Sequence, residues 1–516
     1  MTYRAPLGFV NLDSASRCQI EASRSERRGP APSGQDEEKD RLGEGAASPN
    51  SQNLMVRGIN AEILSVDPLF LAKYDRQVPR YTSYPTAPQF RPVDEAQYIE
   101  TLLDFDRTDK PLSLYFHIPF CKSMCLFCGC SVVLNRQPER QEQYFRRLLE
   151  EIERAFSHFS SKRRVSQLHL GGGTPTSLTI QQFDRLMAHI RARFEFTEDA
   201  EIAIEVDPRT VYADKGEKLA HLSSLGFNRV SFGVQDLDPA VQEAVKRRQT
   251  EEMTVQTYFK ARELGFQGIN IDLIYGLPLQ TAASFAKTAE KLIALKPDRI
   301  AFYSYAKVPW LKPHQKAIPD ADLPSTEEKF RIYVEAREAF MKGGYLPIGM
   351  DHFALEGDSI ASAYREKKLT RNFQGYSVQM AEDMLSFGIT AIGFLQNRFF
   401  QNVKTLEEYE AKASQGKLPS LRGFILSPED TRRRYAIQAL MCRFELDKAD
   451  FSNRFGLSFD AHFQKELETL ARLEGEGLVE LGRDRIAATA LGRLFIRIVA
   501  STFDAYLGNG QFSRAV

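Results

Sequence analysis

Tyr115-Phe116-His117-Ile118-Pro119-Phe120-Cys121-Lys122-Ser123-Met124-Cys125-Leu126-Phe127-Cys128-Gly129-Cys130 is the stretch on which the reading of this chain turns. An apolar, strand-like run, Ser113–Ile118, leads directly into three cysteines spaced C-x3-C-x2-C. The chain has six cysteines, and four of them fall within the ten residues Cys121–Cys130; the others are Cys18 and Cys442. A disulfide framework spreads its cysteines, so this clustering points to a metal site in a reducing cytoplasm. Three thiolates on one loop can each bind one iron of a [4Fe–4S] cluster and leave the fourth iron open to a ligand. Zinc is the competing reading, with Cys130 or His117 as fourth ligand, although no second C-x2-C pair exists to build a zinc knuckle.

Working outward, the chain from about 111 to 306 alternates strand and helix patterns. The strand candidates are Ser113–Ile118, Gln167–Leu170, Glu201–Val206, Arg229–Val234, Gly268–Ile274 and Asp298–Tyr305. Helical spacing lies between them, as in Tyr144, Leu148 and Ile152, and in Phe183, Leu186, Met187 and Ile190. Six strands alternating with helices imply an α/β fold with a parallel sheet or barrel and right-handed crossovers. Ligands in such folds sit at the C-terminal strand ends. Polar residues gather there: Gly171-Gly172-Gly173-Thr174-Pro175, Glu205, Gln235 and Asp272 join the cysteine loop. The glycines allow a ligand close to exposed backbone N–H groups.

The flanks differ. Residues 1–60 carry turn-rich, charged segments and no aromatic between Phe9 and Phe70, so they are expected to be disordered, with translation from Met55 as a further reading. Residues 61–395 form the expected barrel domain with its lead-in. Residues 396–516 form a mostly helical, winged-helix-like C-terminal domain, with helices over 428–446, 458–475 and 490–507 and a hairpin in 477–488.

The 516 residues are 43% hydrophobic and 26% charged, enough for two to four ordinary globular domains. Lys plus Arg and Asp plus Glu are 68 each, which argues against a nucleic-acid coat. No apolar run reaches the ~18 residues of a membrane helix. The N-terminus lacks a secretory pattern, so a cytoplasmic protein is expected.

C-x3-C-x2-C after the first strand, with Phe127 just before the last cysteine, resembles the radical S-adenosylmethionine (SAM) enzymes. The resemblance implies a partial (β/α)6 TIM-like barrel in which Cys121, Cys125 and Cys128 hold a [4Fe–4S] cluster and the open iron binds SAM. Arg80-Tyr81-Thr82-Ser83-Tyr84-Pro85-Thr86, Cys128-Gly129-Cys130, Gly349-Met350-Asp351-His352-Phe353-Ala354, Arg371-Asn372-Phe373-Gln374-Gly375-Tyr376 and Gln511-Phe512-Ser513-Arg514 narrow it. From about residue 66 to the C-terminus the chain is similar to the oxygen-independent coproporphyrinogen III oxidases. That family converts two propionates of coproporphyrinogen III to vinyl groups in anaerobic haem biosynthesis.

The resemblance implies two SAM molecules per site. The first would contact Tyr115, Phe127, Gly172, Glu205 and Ile392. The second would contact Gly173, Thr174, Gln235, Arg247, Asp272 and Ala306. It also implies that Cys130 is not a cluster ligand. A reduced flavodoxin- or ferredoxin-type electron donor and a monomeric state are expected, with no nucleic-acid or membrane partner. Arg80, Lys307 and Arg371 are the candidates to hold propionates, because carboxylates call for basic residues near the barrel mouth. A haem-binding chaperone on the same scaffold is the alternative; Cys130 and the motifs at both ends favour the enzyme.

Overall fold

The computed structural model describes residues 54–57, 63–378, 382–508 and 511–515. The six expected strands all form: Leu112–Ile118, Arg163–Gly172, Phe194–Val206, Arg229–Gln235, Gly268–Tyr275 and Arg299–Ser304. They lie side by side in sequence order and in parallel. Helices cross over between them. In the first, Pro138–Phe156, Tyr144, Leu148 and Ile152 are buried as their spacing predicts. In the second, Ile180–Arg193, Thr179 and Gln182 form a reciprocal capping box, and Phe183, Leu186, Met187 and Ile190 face the sheet.

The sheet is larger than six strands. Met384–Phe387 adds a seventh parallel strand beside the first, pairing from Ser113↔Met384 onward. Its brevity, four residues, hid it from sequence reading. Antiparallel strands then extend both edges. Ile392–Leu395, Arg398–Asn402 and Ser420–Ile425 continue past the seventh strand. His352–Leu355 and Tyr345–Ile348 flank the sixth. The barrel is therefore partial and open. Gln396 and Asn397 both have φ > 0 and join Leu395 to Arg398, the two-residue geometry whose twist suits a hairpin.

This corrects the expected boundary at 395. The large sheet runs on to Ile425, and the C-terminal domain begins with the helix Pro428–Arg443. The expected hairpin forms as Val479–Leu481 and Arg485–Ala488, and a third strand, Glu445–Asp447, completes a small sheet. The expected final helix is two short ones, Ala490–Leu494 and Ile496–Ser501.

The expectation of disorder over 1–60 falls almost wholly outside the described residues. Its end is a correction: Leu54–Arg57 is a strand paired antiparallel with Ile63–Val66. Val56 is buried there, in a core shared with Leu71, Tyr81 and Tyr84, with Phe330 and Val334, and with the C-terminal domain. The lead-in thus belongs to the C-terminal core as much as to the barrel. Arg497 fastens the junction, donating to the carbonyls of Pro79 at 3.1 Å, Ser513 at 3.0 Å and Arg514 at 2.7 Å, and also to that of Val78. The residues just before the Arg80–Thr86 motif meet the Gln511–Arg514 motif at this staple.

Candidate active site

At the C-terminal ends of the parallel strands lies a cavity of about 440 Å³. It is lined by Cys121, Cys125 and Cys128, and by nine of the eleven expected SAM contacts: Phe127, Gly172, Gly173, Thr174, Glu205, Gln235, Arg247, Asp272 and Ala306. Tyr115 and Ile392 are not among the lining residues. Tyr115 stands behind the glycine turn, with its ring stacked on His169 and close to Gly171. Ile392 packs in an apolar cluster with Phe90, Phe394 and Phe399; Phe373, which packs on the same cluster, does line the cavity.

The cysteine loop starts as a short strand, Phe120–Cys121, paired in parallel with Val133–Leu134. Cys121 Sγ lies 3.3 Å from Thr174 Oγ1, so the first thiol is tied to the glycine turn. Burial pushes the Cys121 thiol up to about 11. Cys128 is brought down to about 6, chiefly by a hydrogen bond from Cys130, whose own thiol is pushed up in consequence. Cys130 sits at the solvent-exposed lip of the cavity. Among the described residues no three His, Cys, Asp or Glu side chains are arranged to share a single metal ion. A cubane cluster makes a different demand, because each thiolate then binds its own iron. His117 is not free to ligate. Its Nε2–H donates to the Ser131 carbonyl at 2.9 Å, and its Nδ1 faces the Tyr115 hydroxyl at 3.0 Å. Burial holds this imidazole in the neutral form.

The glycine turn is shaped by the cysteine loop itself. Gly172 has φ +122°, a conformation open mainly to glycine. A Cβ on Gly173 would lie 2.4 Å from the Pro119 carbonyl oxygen and 2.6 Å from its carbon. The Gly172 N–H donates to Glu205 Oε2 at 3.1 Å, and His169 Nε2 lies 3.2 Å from Oε1.

On the other side, Gln235 sits at a β-bulge with φ +70°. Its side chain and that of Arg247 both cover Gly233, where a Cβ would come within 3.0 Å of Gln235 and 3.1 Å of Arg247. Arg247 is buried. It donates to the Gly233 carbonyl and lies 3.6 Å from Cys125 Sγ. Its Nε is buried and has no partner among the described residues. Asp272 accepts from Ser231 Oγ at 2.9 Å and Asn270 Nδ2 at 2.8 Å. Burial and the nearby Glu205 raise its pKa to about 6.

Sequence reading missed a clamp. After the sixth strand, Gln315 is wholly buried and donates to the carbonyls of Phe127 at 2.9 Å and Ala306 at 3.2 Å. His314 Nε2–H donates to the Cys128 carbonyl at 2.8 Å, and Lys312 donates to that of Cys130 at 2.7 Å. The proline-flanked loop after a strand end was the available signal. Of the propionate candidates, Arg80 lines the cavity and donates to the Ser304 carbonyl. Lys307 is not among the residues that line the cavity; its ammonium donates to the Ile318 carbonyl at 2.8 Å and to Asp320 at 2.5 Å. Arg371 lines a different cavity and pairs with Asp351 at 3.4 Å.

Three thiols on the loop after the first strand, against a glycine turn at the top of an open parallel barrel, are the working parts of a radical SAM enzyme. The family model "Radical SAM superfamily" matches residues 115–292, and "HemN C-terminal domain" matches 426–495. The oxygen-independent coproporphyrinogen III oxidase of Salmonella typhimurium is 43% identical over 455 residues, covering 87% of this chain and 98% of that protein. That of Synechocystis is 42% identical, covering 86% and 97%. The solved structure of coproporphyrinogen III oxidase (HemN) from Escherichia coli, described as a radical SAM enzyme, superposes with a TM-score of 0.79 at 43% identity. It is matched over its full length and over 84% of this chain. The chain belongs to the oxygen-independent coproporphyrinogen III oxidase family, and is a radical SAM oxidoreductase with the [4Fe–4S] cluster and SAM that this superfamily implies. No helix among the described residues is long and apolar enough to cross a membrane.

Proposed function

We propose that this enzyme decarboxylates two propionates of coproporphyrinogen III to vinyl groups in anaerobic haem biosynthesis, giving protoporphyrinogen IX. The observation that carries this reading is the gathering of the three thiols and nine expected SAM contacts around one cavity. With cluster and SAM bound, one-electron reduction supplies a 5′-deoxyadenosyl radical, a strong hydrogen-atom acceptor. For each vinyl group, one hydrogen atom leaves a propionate side chain. The carboxylate then departs as CO2, a carbon–carbon double bond forms, and one electron passes to an acceptor.

The chain's residues position and protect. Cys121, Cys125 and Cys128 hold the cluster, while Cys130 donates to the Cys128 sulfur rather than ligating. Tyr115, Phe127, Gly172, Glu205 and Ile392 serve the first SAM, with Glu205 offering acceptors. Gly173, Thr174, Gln235, Arg247, Asp272 and Ala306 serve a second SAM. Support comes from the buried, unpartnered Arg247 Nε and from Asp272, two residues that line the same cavity. Arg80 meets a propionate at the mouth.

A reduced flavodoxin- or ferredoxin-type protein supplies the electron. Lys122, Arg136, Lys246 and Arg248 are exposed around the outer face of the cysteine loop, a basic rim that suits an acidic donor. The enzyme works in the cytoplasm as a monomer. Anaerobic turnover tests the proposal: two CO2 and two 5′-deoxyadenosines should appear per divinyl product. A reconstituted, reduced enzyme that binds the porphyrinogen and forms no vinyl group would replace it with the chaperone reading.

A further inference from the structure

A second cavity, of about 460 Å³, lies between the barrel and the C-terminal helix Pro428–Arg443. Its residues are not those of the active site, except that Phe373 forms part of both walls. Among the described residues, Lys110, Arg371, Arg434, Arg443 and Arg454 line it, against the two acids Glu382 and Asp383. Both acids are already engaged. Glu382 pairs with Arg434 at 2.6 Å, and Asp383 accepts from the Gln396 backbone N–H at 2.7 Å.

Three buried N–H groups around this space have no acceptor among the described residues: Arg371 Nη1, Arg434 Nε and Gln396 Nε2. Arg371 is only 5% exposed. Unmatched buried donors are costly, and three of them around one cavity specify what it lacks, namely anionic oxygens. The remaining wall is aromatic, with Phe373, Phe394 and Phe399, and Arg434 stacks on Phe394 at 4.4 Å. The volume falls in the range of sites for drug-sized organic ligands, roughly 300–1,000 Å³.

We propose that this cavity is a second binding site for a propionate-bearing tetrapyrrole, with the ring against the phenylalanines and carboxylates on the unpartnered arginine and amide donors. It rests on the reading that the enzyme handles such tetrapyrroles, and adds a place for one outside the radical chamber. The hairpin Thr370–Asn372 and Gly375–Ser377 separates the two cavities, and its turn residue Phe373 touches both.

Anaerobic titration of the full-length holoenzyme with coproporphyrin III, read by absorbance and fluorescence quenching, tests the proposal. Two porphyrins should bind per chain. Lys110→Glu combined with Arg443→Glu, both at the rim, should weaken one of them about tenfold or more and leave iron content and circular dichroism unchanged. Arg80→Ala should weaken the other. Raising the salt concentration should also weaken the second site in wild type, which reads the charge without any substitution. A stoichiometry of one, or two sites indifferent to both the reversal and salt, overturns the proposal. Inorganic phosphate or citrate binding in a charge-dependent way, without a second porphyrin, would make this a small-anion site instead. If turnover yields no vinyl product while two porphyrins still bind, the catalytic reading fails and this one stands.

Discussion

Asp272→Asn should make the SAM-free protein more stable and the enzyme far less active. Burial and the neighbouring Glu205 raise the Asp272 pKa from 3.8 to about 6. At about 1.4 kcal/mol for each tenfold change in proton affinity, the ionised carboxylate costs the fold about 3 kcal/mol at most. Its partial exposure to the cavity brings the expected gain to about 1–3 kcal/mol. The sign follows from proton binding. Between pH 4 and 6 the folded wild type holds more protons than the unfolded chain, so its stability falls as pH rises through that window. The penalty is complete above about pH 7, and roughly half of it should be gone at pH 5. Asparagine does not titrate there, and it keeps an acceptor for Ser231 or Asn270. Urea unfolding of cluster-free wild type and variant at pH 8 and pH 5 measures the difference. Cluster-loaded protein then measures vinyl product and iron, with product lost and iron retained. A variant less stable at pH 8, or a stability gain identical at both pH values, would refute the electrostatic argument.

Three other outcomes follow from the site. Gly173→Ala should lose the cluster, because its Cβ meets backbone of Pro119 that cannot move without shifting Cys121; iron analysis should show it, with destabilisation of about 1–3 kcal/mol from overpacking. Cys121→Ala, Cys125→Ala and Cys128→Ala should each abolish the cluster absorbance, whereas Cys130→Ala keeps it; equal loss in all four would make Cys130 a ligand. Gln315→Ala strands the Phe127 and Ala306 carbonyls and the Val308 N–H, and should lower stability by about 1–3 kcal/mol or more and speed iron release to a chelator.

The six barrel strands were legible because each is a short apolar run ending in polar residues, and five of the six strand ends carry residues that line the cavity. The cysteines were legible because their spacing is local. What escaped was long-range. Met384–Phe387 is four residues long, and its parallel partner lies far back at Ser113–Phe116. The strands past 395 escaped because they are short and their place in the barrel sheet is set by distant partners; the helix among them, Leu406–Ser414, packs on Pro138–Phe156. Lys307 read as a free cation at a strand end, and only the fold shows Asp320 waiting for it. Ile392 entered through family resemblance, and no periodicity could have told its apolar cluster from a ligand wall.

The open barrel explains why the clamp is needed. In a closed barrel, hydrogen bonds between the last strand and the first would hold the loops at their ends. Here the first strand pairs with Met384–Phe387 and the sixth with His352–Leu355, so no ladder joins them. Gln315 instead spans 188 residues of sequence to bond the Phe127 carbonyl, and its second bond reaches Ala306 at the end of the sixth strand. His314 and Lys312 repeat the link at Cys128 and Cys130. On the opposite flank Thr174 and Gly173 press against Cys121 and Pro119. The cysteine loop is thus fixed from both sides by backbone carbonyls and tight glycine contacts, which leave its sulfurs facing the cavity. Rigidity comes from these fastenings rather than from a closed ladder of strands.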